Sequence, residues 1–278
     1  MTNKPVIRVR QVVKEYDGVP VLERLNLDVS AGTLCTIVGA SGCGKSTFLR
    51  MLLSQEVPTR GIIELDGSPL PKEPTPDRGI VFQRYSVFPH LTVEDNLLLA
   101  REFAGAPFTG RFFGSARRKA RDAVSQIIGD IGLDAARSKY PAQLSGGMQQ
   151  RLAIAQALLK EPKVLLLDEP FGALDALTRA NMQEWLLDVW QEDRKTILFV
   201  THDVEEAIYL SDRVYVMSGR PGRVSLEVDV SLARPRKPEI TMTPEFLLLK
   251  QKLLRPLEEA AAGGGLFVDD RPTLEEQI

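Results

Sequence analysis

The sequence is sparing with the residues that staple small domains or anchor a chain in lipid. Only two cysteines, Cys35 and Cys43, occur in 278 residues. Both fall in what reads as core or active site, which excludes a disulfide scaffold and leads us to expect a reducing compartment. No run approaches the ~18 uninterrupted apolar residues of a membrane span, and no charged-then-apolar leader opens the chain. Neither sign of charge dominates. Lys and Arg number 35 and Asp and Glu 37, a net charge of −2, which argues against non-specific nucleic-acid binding as the main activity. The 44% of hydrophobic residues then suit a cytosolic globular protein with one large core or two modest ones. There are no internal repeats.

Two kinds of strand are predicted. Residues 6–12 and 21–29 alternate apolar and polar around the turn signal Tyr16-Asp17-Gly18, so an antiparallel hairpin is expected, with residues 61–67 as a third strand of the same sheet. The runs at 34–38, 79–82, 164–167 and 196–200 are nearly continuous apolar stretches, as parallel strands covered on both faces are. Helical patterns at 45–53, 117–131, 147–159 and 176–192 separate them, so the fold class is α/β around a parallel sheet. Residues from about 93 to 160 read as a helical insertion. After residue 230, three prolines precede an amphipathic run over 245–262 that Pro256 interrupts, followed by an acidic tail. This reads as an appended helix lying on the sheet or across a dimer, with residues 269–278 expected to be disordered.

Gly39-Ala40-Ser41-Gly42-Cys43-Gly44-Lys45-Ser46-Thr47 fits G-x-x-x-x-G-K-[ST] directly after a strand and opening a helix. Its glycines let successive backbone N–H groups face a phosphate, and the helix N-terminus adds positive potential. Lys45 is expected on the β- and γ-phosphates and the Ser46 hydroxyl on Mg²⁺, so the chain should bind a nucleoside triphosphate. Cys43, beside the helix N-terminus, is expected to have a lowered pKa and to react with maleimide, bound ATP protecting it. Val164-Leu165-Leu166-Leu167 ends in Asp168-Glu169, at the carboxyl end of a strand where ligands bind in open α/β sheets. Asp168 is expected to hold Mg²⁺ through water. Glu169, on the other side of the alternating strand, is expected to act as general base on an attacking water.

Leu144-Ser145-Gly146-Gly147-Met148-Gln149-Gln150-Arg151, lying before Leu165-Leu166-Leu167-Asp168-Glu169, resembles the signature of the ATP-binding cassette (ABC) ATPases. The resemblance spans roughly residues 6–230. It implies a P-loop NTPase fold with a mixed β-sheet core, an N-terminal antiparallel β subdomain and a helical subdomain at about 93–160. The ATPase domain would occupy 1–230 and a C-terminal extension 231–278. Further roles come with it. Tyr16 would stack on adenine. Gln83 would contact Mg²⁺ and the transmembrane partner, and Asp175, in Gly172-Ala173-Leu174-Asp175, would be the D-loop residue. His202, in Val200-Thr201-His202-Asp203, would contact the γ-phosphate and join Glu169 and Gln83 in catalysis. Ser145, Gly146 and Gly147 open a helix, a second anion-binding terminus. The family's arrangement is a two-fold homodimer with each ATP sandwiched between one chain's phosphate loop and the other chain's signature.

The same resemblance implies that the region Gln83 to Val93, with Phe88-Pro89-His90, receives the coupling helix of a separate permease. The chain would then be the ATP-hydrolysing subunit of an importer, peripheral on the cytoplasmic face of the inner membrane, served indirectly by a solute-binding protein and binding no nucleic acid. Met148, residues 171–179 and residues 218–224 are most similar to the nitrate/sulfonate/taurine branch, whereas Phe88-Pro89-His90 is more like osmolyte, polyamine and sulfate importers. The solute is therefore an oxyanion such as nitrate, a sulfonate such as taurine, or a urea- or guanidine-like nitrogen compound. Two rivals stay open: a soluble ABC ATPase acting on nucleic acid or ribosomes, and a nucleotide-gated module without turnover, which Glu169 and His202 argue against. Arg111, Arg117, Arg118, Lys119 and Arg121 form either a solvated helix face or a contact with anionic lipid head groups.

Overall fold

The computed structural model describes residues 5–82, 87–105 and 114–263. Strands β1 (Pro5–Tyr16), β2 (Val19–Ser30), β4 (Arg60–Leu65) and β5 (Ser68–Pro69) form a four-stranded antiparallel sheet in the order β2-β1-β4-β5. Alternation makes one face of it apolar: Ile7 and Val9 on β1 pair with Val29 and Leu27 on β2 and with Leu65 and Ile63 on β4.

The second sheet has the order β10-β9-β3-β8-β7-β6. Here β3 is Leu34–Gly39, β6 Arg78–Val81, β7 Val164–Asp168, β8 Thr196–Thr201, β9 Arg213–Ser218 and β10 Arg223–Asp229. The β9-β3, β3-β8, β8-β7 and β7-β6 pairings are parallel, and β10 returns antiparallel on β9. The pleat sends successive side chains of one strand into different cores. Val164 and Leu166 face the antiparallel sheet and helix α1 (Lys45–Leu52), with Phe48 and Leu49 between. Leu165 and Leu167 face helices α4 (Gly146–Leu159), α5 (Ala176–Asp193) and α6 (Val204–Leu210). A third cluster unites α4 with α2 (Val93–Gly105) and α3 (Gly114–Asp130) through Leu97, Val124, Ile128 and Leu152. Residues 93–160 hold no strand among those described.

Helix α7 (Pro244–Gly263) runs through Pro256 rather than breaking there. A mid-helix proline costs about 3 kcal/mol. Phe246 and Leu253, fully buried against α6 and the strand edge, offset that with about 1.5–3 kcal/mol each. The segment leading to α7 is strapped down by two arginines. Arg234 pairs with Asp212 at 2.8 Å and stacks over Trp190 at 4.4 Å. Arg236, buried, donates to the carbonyls of Ile208, Tyr209, Ser211 and Val230; burial lowers its pKa to about 10. Gln83, Arg111 and residues 269–278 lie outside the described residues. Arg117, Arg118, Lys119 and Arg121 are solvent-exposed on α3.

Candidate functional site

The loop from β3 to α1 turns through Gly44, at φ +98°, where a β-carbon would lie 2.4 Å from Leu22 Cδ2; only glycine fits both the left-handed backbone and that approach. Lys45 opens α1 and is buried. Its ammonium donates to the carbonyls of Gly39 (2.6 Å) and Ala40 (2.9 Å) and lies 3.9 Å from Glu169 Oε1. A cleft of about 410 Å³ runs along Ser41 to Thr47 and ends at Asp168 and Glu169. The signature residues Ser145, Gly146 and Gly147 do not line it. Ser145 caps α4 instead, its Oγ accepting from Met148 N at 3.3 Å.

The turn between β9 and β10, which carries no strand signal in the sequence reading, buttresses this loop. Arg220 donates to Ser41 O at 3.1 Å, and Gly222 exchanges backbone hydrogen bonds with Val21 and Glu23 of β2.

Cys43 corrects the expectation of a reactive thiol. It is 3% exposed and packs in the core between the sheets. Burial raises its pKa, against a lesser lowering by Lys45. The backbone N–H and the charge of Lys45 at the helix N-terminus both act on the sulfur, but the cost of desolvating a thiolate in these surroundings outweighs them.

The two carboxylates also depart from simple alternation. Asp168 ends β7, but Glu169 has already left strand geometry at φ +45°, so both line the same cleft. A non-glycine residue in that region is strained and is held by its surroundings; here Glu169 N donates to Val200 O at 2.9 Å. Partners then separate the pair. Asp168 accepts from the Ser46 hydroxyl, and burial, followed by the charge of Glu169, pushes its pKa up. Glu169 Oε2 lies 3.0 Å from His202 Nδ1. His202 follows β8 and precedes α6, whose N-cap Asp203 accepts from Glu205 N and Glu206 N.

Ser46 and Asp168 offer adjacent hard oxygens, and no cluster of three or more His, Cys, Asp or Glu makes a metal cage among the described residues. That donor set fits Mg²⁺, which keeps several waters and takes one or two protein oxygens beside phosphates. Tyr16 closes β1 at the far end of the loop, its ring exposed. Its hydroxyl is bonded to Glu56 and reaches Thr47, burial and Glu56 raising its pKa. Asp175 caps α5 by accepting from Thr178 N at 3.0 Å, and that bond lowers its pKa.

Near the expected permease contact, residues 87–92 are pinned by Asn96. Its side chain accepts from Phe88 N at 2.8 Å and donates to the carbonyls of Phe88, Leu91 and Thr92. Gln156 on α4 locks Asn96 in turn, at 2.9 Å. Phe88 stays 40% exposed, edge-on to His90. Sequence reasoning passed over Asn96, because a lone asparagine in a helical stretch carries no signal until its loop is placed.

Among the described residues, no helix is long and apolar enough to cross a membrane. A family model described as ABC transporter matches residues 22–172. The aliphatic sulfonates import ATP-binding protein SsuB of Bacillus thuringiensis is 40% identical over 254 residues, covering 91% of this chain and 93% of that protein. The post-hydrolysis dimer of the ATP-binding cassette MJ0796, bound to ADP and Pi, superposes with a TM-score of 0.67 at 29% identity, over 82% of this chain and all of that one. CbiO1 from Clostridium perfringens, part of the ABC transporter complex CbiONQ, gives a TM-score of 0.72 at 26% identity, over 93% and 98%.

Proposed function

The chain belongs to the ABC transporter family and is an ATP-binding ATPase subunit; from that premise we propose that it energises uptake of a small oxyanionic solute, of the sulfonate class, through a separate permease. The observation that carries this reading is the 40% identity to a sulfonate-import ATPase, which runs along nearly the whole of both chains. Nitrate-like oxyanions and small nitrogen compounds are the alternatives within the same reading.

In this proposal Lys45 and the N–H groups of Gly39 to Thr47 hold the β- and γ-phosphates, and Tyr16 offers its exposed ring to adenine. Ser46, Asp168 and Gln83 hold Mg²⁺, which when bound offsets phosphate charge. Glu169 takes a proton from the attacking water, and His202 contacts the γ-phosphate. Ser145, Gly146, Gly147 and Asp175 act on the ATP of a second copy in a two-fold dimer. The absence of the signature from the chain's own cleft supports this arrangement, as do the dimeric relatives. The loop pinned by Asn96, with Phe88 exposed, serves as the permease contact, placing the protein peripherally on the cytoplasmic face of the membrane. A solute-binding protein would deliver the substrate to the permease.

The test is affinity purification of the tagged chain from detergent-solubilised membranes of its host, followed by mass spectrometry. A stoichiometric multi-span permease is expected, and its companion binding protein should bind an alkanesulfonate. Recovery of soluble proteins or nucleic acid alone would overturn the importer reading and leave the ATPase standing.

A further inference from the structure

Behind the carboxylates lies a second, smaller space. A cavity of about 20 Å³ is walled by Glu169, His202, Arg179 and Glu206, room for one water. Glu206 is 6% exposed and accepts from Gln183 Nε2 at 3.0 Å and from the Thr201 hydroxyl. Arg179 is held by the carbonyl of Leu174 at 3.1 Å and by Asp203 at 4.0 Å. Its Nε is buried without a partner among the described residues, so the cavity offers a water at least one unsatisfied donor as well as carboxylate acceptors.

Glu206, Arg179 and Asp203 also wall an open cleft of about 250 Å³ that includes Glu205 and Tyr209. Glu206 is thus common to the space beside the hydrolytic centre and to a cleft open to solvent. The groups around it come from several neighbouring elements, including the 238–242 segment through Pro238 and Thr241. Arg179 and Gln183 face it from α5, Thr201 from β8, His202 and Asp203 from the connecting turn and Glu169 from the end of β7, with Glu205 and Tyr209 on its own helix. Glu205 is tied to Lys250 of α7. Burial raises the pKa of Glu206, against the lowering by Thr201 and Gln183.

We propose that Glu206 is the outlet for the proton that Glu169 takes from the attacking water, the two being linked by a single water in the small cavity. The step balances. As the water oxygen bonds to the γ-phosphorus, the bond to the bridging oxygen breaks and the proton moves to Glu169. Glu169 passes it to the cavity water, whose other proton goes to Glu206. Glu206 releases it into the open cleft, and both residues end as carboxylates. A separate outlet matters because a partner's signature helix would close the front of the cleft. The proposal rests on Glu169 being the base.

The experiment measures single-turnover ATP hydrolysis by the full-length protein and its Glu206→Gln and Glu206→Asp variants, in H₂O and D₂O, with and without added acetate. Glu206→Gln should hydrolyse about tenfold or more slowly, as the loss of a proton-transfer group does, with an enlarged solvent isotope effect and recovery in acetate. Nucleotide affinity should be unchanged. Infrared difference spectra should lose a protonated-carboxyl band in this variant. Glu206→Asp, which keeps the acid, should be slowed less and should also respond to acetate; it decides the matter if the glutamine variant does not fold. Parental rates in both variants, or slowing with neither isotope effect nor acetate recovery, would overturn the outlet. Glu169→Gln run alongside separates the premises: turnover at the parental rate there would sink the base assignment itself.

Discussion

The carbonyl oxygen of Cys43 fills the space that a side chain at residue 222 would need: a β-carbon on Gly222 would lie 1.9 Å from it. The phosphate loop is thus moulded against the β9–β10 turn as well as against its own strand and helix. Gly222→Ala must push the loop or the turn aside. Overpacking of this kind costs about 1–3 kcal/mol, and the displaced loop should bind ATP more weakly. Thermal denaturation and nucleotide titration would register both losses, while Arg220→Ala, which removes one exposed hydrogen bond, should cost about 1 kcal/mol or less.

Lys45 and Glu169 lie 3.9 Å apart and should respond oppositely to substitution. Lys45→Ala removes the only side-chain cation at the loop carbonyls of Gly39 and Ala40 among the described residues and should abolish tight ATP binding. Glu169→Gln should keep that binding, lower turnover by roughly 10²–10⁴ and trap a dimer. Fluorescent-nucleotide titration and size-exclusion chromatography with ATP would check both, and a monomeric Glu169→Gln chain under saturating ATP would count against the sandwich.

The buried Cys43 thiol, pushed up by its surroundings, should be slow to alkylate in the native protein. Maleimide labelling should leave ATPase activity intact over times that fully modify an exposed cysteine, then accelerate on denaturation. Rapid native inactivation with ATP protection would restore the reactive-thiol expectation.

Glu206 carries a pH signature of its own. Its folded-state pKa lies above the ordinary glutamate value, so the native protein holds a proton that the unfolded chain has released, and the group's contribution to stability is lost as pH rises through that window. Glu206→Gln cannot titrate. Its melting temperature relative to the parent should therefore rise as pH climbs above the ordinary glutamate value and level off once the native carboxyl has ionised. A pH-independent difference would show that Glu206 does not titrate with folding.

The hairpin, the parallel strands and the phosphate loop were legible because each declares itself within a dozen residues: period-two alternation in β1 and β2, unbroken apolar runs in β3, β7 and β8, and glycines spaced about Lys45. What escaped depends on distance. Val214-Tyr215-Val216-Met217 of β9 has the same unbroken apolar character, but its meaning comes from β3, to which it pairs across some 180 positions of sequence. Helix α6 is seven residues long, two turns and nearly all buried, too short for a helical period to emerge. Cys43 misled because a helix terminus predicts charge stabilisation, whereas burial of the thiol between the sheets, set by packing, outweighs it. Glu206 and Arg179 carry no local signal of a shared site, because only the fold brings α5, α6 and the end of β7 together.

Helix α7 covers α6 through Phe246 and Leu253, and α6 begins two residues after His202. The C-terminal helix is therefore a backstop for the element that aims the histidine. A chain cut before residue 244 would leave the outer face of α6 to water and the histidine's turn joined to a helix free to rock. Such a chain should fail first in the coordination between binding ATP and cleaving it, before any loss of affinity for the nucleotide.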